Sequence, residues 1–268
     1  MRPVTFLSDY GTADEFVGVV HAVIARQVPE VRIIDLAHGI PRHGVLQGAL
    51  TLARALPFAP RGVHLAVVDP EVGGPRRAIA LQTAEEERLL VGPDNGLLLP
   101  AAERFGGIAA AVEISASPWR LEPVSATFHG RDLFAPVAAR LAAGAPLAEA
   151  GTPLEPVELV PLDLPLPRRE PGALRATVIG IDTFGNVSLL ADHVDLERAG
   201  LVIGDAIAVR ARETEVVARY VRSFAEVGPG EVLVYEDAAR TAAIAVNTGR
   251  ADRLLGVRPG DELVLAAR

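Results

Sequence analysis

Three side chains of this 268-residue sequence have types that can share one piece of chemistry. Asp69 and Arg76 stand seven residues apart in VVDPEVGGPRR (67–77), and His129 stands in TFHGRDLFAP (127–136). A histidine with an ordinary pKa of about 6.5 can take a proton from water near neutral pH. A neighbouring Asp can fix its tautomer or share the proton of a bound water, and an Arg can hold the anionic water in place. Such a trio makes a hydroxide-like nucleophile without a metal, and leaves open what is attacked. Each residue alone also has a plainer reading. Asp69 is a turn or cap residue, Arg76 half of a surface ion pair, and His129 a satisfied core or capping histidine.

Composition removes several other chemistries. There is no cysteine, hence no thiolate and no disulfide, and all 26 basic residues are Arg, hence no Schiff base and no lysine base. The sequence has no G-x-G-x-x-G after its first strand and no G-x-x-x-x-G-K-[ST], the two standard phosphate cradles. No histidine pair stands at metal-ligand spacing on a helix, so no catalytic zinc and no cofactor are expected. His38 and His43 share one loop, but a metal there is not favoured by the ligand rules. A formal net charge of −8 argues against a nucleic-acid partner and suits a cationic small molecule better. The start MRPVTFLSDYG is not a signal peptide and no apolar run reaches the ~20 residues of a spanning helix, so a cytoplasmic location without membrane insertion is expected.

The elements that would have to position the trio follow from periodicity. Short apolar runs predict strands at 3–8, 31–37, 63–69, 78–83, 88–92 and 109–114. Helical spacing predicts helices at 14–28, behind Asp14 as N-cap, and at 45–56, 97–105 and 131–143. This alternation implies a largely parallel sheet covered on both faces, an α/β domain over 1–158. Seven prolines within 145–171 then predict an extended connector, with the linker at 159–172. Beyond it helix signals fade. Strands are expected at 174–181, 186–190, 201–210, 215–221, 231–235, 241–246 and 261–266, a smaller all-β, barrel-like domain over 173–268.

In an open parallel sheet, ligands bind beyond the carboxyl ends of the strands. Here SDYG (8–11), DLAHGIPRHG (35–44), DPEVGGPRR (69–77) and VGPDNG (91–96) each end or follow a strand with a carboxylate and nearby Gly or Pro. Four such ends on one rim describe a polar site.

Taken together, SDYGTADEFVG, DLAHGIP, VVDPEVGGPRR, VGPDNGLL, TFHGRDLFAPVAARLAAG and IDTFGNV, in this order, resemble the S-adenosylmethionine hydroxide adenosyltransferase family, also described as S-adenosyl-L-methionine hydrolases. The bacterial fluorinase and chlorinase are its relatives. The resemblance covers nearly the whole chain. It implies an N-terminal α/β domain, a C-terminal β-barrel-like domain, and a homotrimer whose active sites lie between the first domain of one subunit and the second domain of its neighbour. The implied reaction is attack of water, as hydroxide, on C5′ of S-adenosylmethionine, giving adenosine and L-methionine. The family's water-activating trio maps onto Asp69, Arg76 and His129. Asp9 matches the residue that receives the ribose hydroxyls, Asn186 the one that meets the adenine edge, Phe184 and Phe224 the aromatics flanking the base, and Asp182 the position expected to meet the methionine ammonium.

Two features favour water over halide. The fluorinase has a Ser near the position where this chain reads His129 and Gly130, and it carries an insertion where this chain has only TAEEER (83–88). Two departures stand out. Glu71 replaces a glycine of the family's turn, which would strain a left-handed backbone. YEDAAR (235–240) puts Ala238 and Ala239 where relatives use a Ser-containing stretch near the methionine carboxylate, and Arg240 is the available substitute. The alternatives left open are a protein that binds S-adenosylmethionine or adenosine with little catalysis, and halide-dependent adenosyl transfer.

Overall fold

The strand-forming stretches of the first half are runs of branched and aliphatic residues whose alternate side chains go to opposite faces. In the computed structural model, which describes residues 1–268, they form one sheet. Its strands are β1 (Val4–Ser8), β2 (Ile33–Ala37), β3 (Val63–Val67), β4 (Ala78–Thr83), β5 (Leu89–Pro93), β6 (Ile108–Glu113) and β7 (Thr152–Leu154), in the order β2-β1-β3-β5-β4-β6-β7. The pairs from β2 to β5 are parallel. The pairs involving β4, β6 and β7 are antiparallel. The sheet is thus parallel where it carries Asp9 and Asp69, and it ends in an antiparallel flank.

Val4, Phe6, Val63 and Leu65 project to one face, where α1 (Phe16–Gln27) and α4 (Ala135–Ala142) cover them. Leu7, Ala66, Leu81 and Leu90 project to the other, under α2 (Val45–Ala55) and α3 (Leu99–Glu103). Phe6 and Phe134 are fully buried, and each such side chain contributes roughly 1.5–3 kcal/mol. Within this core His64 is fully buried. Arg88 donates to its Nε2 at 3.2 Å, so its proton sits on Nδ1 and goes to Thr5 Oγ1 at 2.8 Å. Burial first, then the charge of Arg88, pushes the His64 pKa down to about 3.

Asp14 does not cap α1. Glu15 occupies that position, with no side-chain cap bond, and the helix stops at Gln27, two residues before Pro29. The proline-rich stretch is also less bare than composition suggests. Thr152–Leu154 adds β7 to the sheet, and β8 (Arg168–Glu170) pairs with the strand after it. The chain divides into two units, Met1–Asp163 and Leu164–Arg268.

The second unit contains β9 (Ala173–Ile181), β10 (Val187–Leu189), α5 (His193–Arg198), β11 (Ala206–Ala211), β12 (Thr214–Tyr220), β13 (Val232–Glu236), β14 (Ala242–Val246), α6 (Ala251–Leu255) and β15 (Glu262–Ala267). Seven strands run β10-β14-β13-β12-β11-β15-β9, and β9 pairs back to β10, which closes a barrel; β8 is appended outside the ring. Closure removes the exposed edges. Three differences from expectation have local causes. The strand expected at 201–210 begins only at Ala206, because Leu201–Asp205 turns, with Asp205 accepting from the Val202 N–H. Helix α5 is set by a reciprocal Asp192/Asp195 capping box, too short to give a helical period. Helix α6 is a similarly short element, closed by Gly256 in the left-handed conformation. No helix is long and apolar enough to cross a membrane.

Candidate active site

Strand β3 delivers Asp69 just past its carboxyl end, and the following turn brings Arg76 back to it. Arg76 Nε donates to Asp69 Oδ1 at 2.9 Å and to Oδ2 at 3.1 Å, and Nη2 donates to Oδ2 as well. Both side chains are almost wholly removed from solvent, 5 % and 4 % exposed, which an ion pair tolerates only with this kind of fork geometry. The left-handed residue of the turn is Gly73, at φ 77°, where a Cβ would overlap the carbonyl oxygen of Ala126. Glu71 is not left-handed, so the substitution that looked costly in the sequence carries no strain. The turn therefore rests directly on the segment that carries His129.

His129 precedes a π-type turn at Gly130–Phe134 that leads into α4. Its Nδ1 lies 2.7 Å from Arg76 Nη2. Arginine can only donate, so Nδ1 accepts and the neutral ring carries its proton on Nε2. Burial first, then the Arg76 charge, lowers the His129 pKa, against the opposite pull of Asp69 and Asp132. In this arrangement the ring is neutral and offers a donor at Nε2. The trio read from the sequence is thus one hydrogen-bonded cluster, Asp69–Arg76–His129.

A cavity of about 370 Å³ opens beside it, lined by Asp9, Tyr10, Asp14, Phe16, Arg42, His43 and Asp69. Asp9 Oδ2 accepts the His43 backbone N–H at 3.0 Å, which leaves its other oxygen uncommitted to any protein group. The Tyr10 hydroxyl stands where a side chain on Gly130 would be. Its pKa is raised by burial first, then by the charges of Asp9 and Asp69. Asp14, Arg42 and His43 were missed as lining residues. The sequence offered only their place in the loops after β1 and β2.

Of the four polar strand ends, three reach this cavity, the second of them through Arg42 and His43 and not through its carboxylate Asp35, and the fourth does not. Asp94 is buried and spent on structure: Arg77 Nε donates to it at 2.8 Å and the Val160 N–H at 2.9 Å. Asn95 Nδ2 likewise ties down the Val68 carbonyl at 2.9 Å. Asp35 turns to His21 and His38 instead. The His43 backbone N–H donates to Asp9 while the His38 ring is bonded to Ser8, so the two loop histidines do not act as a pair.

The residues picked out in the second unit also converge. Asp182, Phe184, Asn186 and Phe224 line a pocket of about 520 Å³ together with Val246, Thr248 and Gly249. Asp182 Oδ1 accepts the N–H groups of Phe184 and Asn186, each at 2.9 Å, and Oδ2 accepts from Asn186 Nδ2 at 2.8 Å. Gly185, at φ 87°, makes this turn possible. The Asn186 carbonyl oxygen and its second amide hydrogen have no protein partner. Phe184 is 75 % exposed and Phe224 36 %, an unusual exposure for two phenyl rings facing one pocket. Arg240 is exposed, in the left-handed region at φ 66°, and lies 3.4 Å from Glu236. The YEDAAR turn is organised instead by Asp237, which accepts from Ser188, Ala239 and Thr241.

Residues 4–151 match the SAM hydroxide adenosyltransferase N-terminal domain, and residues 176–264 match its C-terminal domain. The chain is 52 % identical over 266 residues to the (R)-S-adenosyl-L-methionine hydrolase of Salinispora tropica, covering 98 % of this chain and 97 % of that one. It is 30 % identical over 275 residues to a fluorinase of Actinoplanes sp., covering 91 % and 90 %. A crystal structure of an uncharacterized conserved protein from Thermotoga maritima superposes with a TM-score of 0.90 at 38 % identity, covering 98 % of this chain and 99 % of that one. With both of its domains matched in order, the chain belongs to the SAM hydroxide adenosyltransferase family.

Proposed function

We propose that the protein hydrolyses S-adenosyl-L-methionine, in the (R) form named for its relatives, to adenosine and L-methionine. The observation that carries this reading is the Asp69–Arg76–His129 cluster at the edge of an acidic cavity. Water is held between His129 Nε2–H as donor and an Asp69 oxygen as acceptor. Its oxygen attacks C5′ while the C5′–S bond breaks. The sulfonium sulfur takes the bonding pair and leaves as the neutral thioether of methionine, so no general acid is required. The oxygen becomes strongly acidic as it bonds to carbon, and its proton passes to Asp69 and on to solvent. That late transfer is the work of a positioned general base. Catalysis then comes mainly from orientation and exclusion of competing water.

Asp9 receives the ribose hydroxyls, Phe184 and Phe224 flank the adenine, and Asn186 reads its edge with the groups left free. Asp182, held in place by three accepted hydrogen bonds, meets the methionine ammonium. No metal or other cofactor takes part in this reaction. We read the active unit as a homotrimer of cytoplasmic location; the two solvent-exposed phenyl rings are what assembly or substrate would cover. Water is favoured over halide by the greater identity to the hydrolase than to the fluorinase, and by Tyr10 filling the space beside Gly130.

Incubating the purified protein with S-adenosyl-L-methionine and separating products by chromatography tests the reading, with light scattering for the oligomer. Equimolar adenosine and methionine are expected, without dependence on chloride or fluoride. Absence of turnover, or turnover unchanged in His129→Ala, would overturn it.

A further inference from the structure

One cluster in the first unit belongs to neither pocket. His21 on α1 and His38, just after β2, approach the same oxygen of Asp35. His21 Nε2 is 2.8 Å from Asp35 Oδ1 and His38 Nε2 is 3.0 Å from it. The three ligand atoms all lie within 4.8 Å of one another.

The two imidazoles are held differently. His21 makes a hydrogen bond to Asp35. His38 is buried, its side chain only 5 % exposed, and its Nδ1 is committed to Ser8 Oγ at 2.7 Å. Its Nε2 is buried and has no protein neighbour to bond other than the Asp35 oxygen 3.0 Å away. A buried ring nitrogen that shares one carboxylate oxygen with a second imidazole is well placed for a shared cation. Ser8 fixes the ring from the other side, as partners of metal-bound histidines do.

Charge, donor type and geometry agree with this. Two imidazoles and one carboxylate suit a late first-row divalent ion and not Mg²⁺ or Ca²⁺, which prefer all-oxygen sites. Tetrahedral Zn²⁺ with donors at ~2.0–2.2 Å separates them by roughly 3.3 Å, so the two measured contacts need to open by only a few tenths of an ångström. The ring of Phe6 packs against both imidazoles, with centroids 4.7 Å from His38 and 6.1 Å from His21, an apolar wall behind the ligands. Asp35 and His21 remain partly open to solvent, which gives an ion a path in and room for a water as its remaining ligand.

We propose that His21, Asp35 and His38 form a binding site for a divalent late first-row metal ion, Zn²⁺ foremost, outside the substrate cavity. The ion would clip α1 to β2 and, through Ser8, to the end of β1, the strand that presents Asp9. It takes no part in the hydrolysis.

The test uses the full-length protein, stripped with chelator and then titrated with Zn²⁺ by calorimetry and with Co²⁺ by visible absorption. One ion per chain is expected, with the ligand-field bands of a four-coordinate Co²⁺. His21→Ala, at a half-exposed helix position, and Asp35→Asn, which keeps shape but removes the anionic ligand, should each weaken binding by about 100-fold or more while circular dichroism stays unchanged. His193→Ala, a histidine of the second unit, should bind as the wild type does. No uptake of either metal by the stripped protein, or uptake that survives both His21→Ala and Asp35→Asn, would overturn the proposal.

Discussion

The cavity of the first unit and the pocket of the second unit handle polarity in opposite ways. In the first, charged groups are buried and committed to one another: Asp69 and Arg76 are each almost inaccessible and share three hydrogen bonds, with His129 joined to the arginine. In the second, the single carboxylate is spent on its own turn and two phenyl rings face solvent. The first arrangement bears its desolvation cost during folding, so its dipoles are in place before anything binds. The second leaves apolar area to be covered afterwards. Groups of the first kind should govern rate and those of the second should govern affinity.

The largest effect expected from that division is in Asp69→Asn, which should lower kcat by roughly 10²- to 10⁴-fold with KM little changed. A KM rise of similar size would place Asp69 among the substrate contacts and erase the division. Next, Phe184→Ala should raise KM by roughly 5- to 150-fold, the range of base stacking on an aromatic ring, and leave kcat nearly intact. Initial rates over a range of substrate concentrations separate the two. Gly130→Ala should cost about 1–3 kcal/mol in urea unfolding, because the new methyl meets the Tyr10 hydroxyl, and Tyr10→Phe should recover part of it. An undiminished stability would mean that the cavity wall is looser than its packing indicates.

The smallest effect is on pH. His64 is lowered to about 3 in the folded state and His129 is lowered as well, so both stay neutral where the unfolded chain already binds protons. Stability is therefore full above about pH 6.5 and falls with acidification, by up to about 1.4 kcal/mol per pH unit for His64 until its folded pKa is reached. Fluorescence of Trp119, the only tryptophan and a residue of the first unit, follows that loss directly. His64→Leu should flatten the slope. The lowered His129 pKa likewise predicts that the acid limb of the kcat/KM profile lies below the ordinary histidine value.

Much of this was legible in the sequence because period and motif carry it. Strands β1 to β6 of the first unit fall within about two residues of expectation, since alternation is a direct image of which side chains face the core, whereas the short β7 in the proline-rich stretch gave no such signal. The trio was visible as types and motifs. Its tautomer was not, because that depends on which nitrogen of His129 meets Arg76. Asp35 and Asp94 looked equivalent to Asp9 and Asp69, yet their side-chain direction is set by distant partners, His21 on α1 and Arg77 ahead of β4, which no period encodes. Helices α5 and α6 escaped for a related reason: elements of five or six residues are fixed by caps and turns, not by an apolar face.

The close seat of Gly73 on the carbonyl of Ala126 has one more meaning. It joins the turn that holds Asp69 and Arg76 to the backbone three residues before His129, so the three side chains sit on what is mechanically one body. Thermal motion can shift that body as a whole against a bound nucleoside, but it cannot easily stretch the distances inside it. The alignment of the nucleophile is then a property of backbone contact as much as of hydrogen bonding.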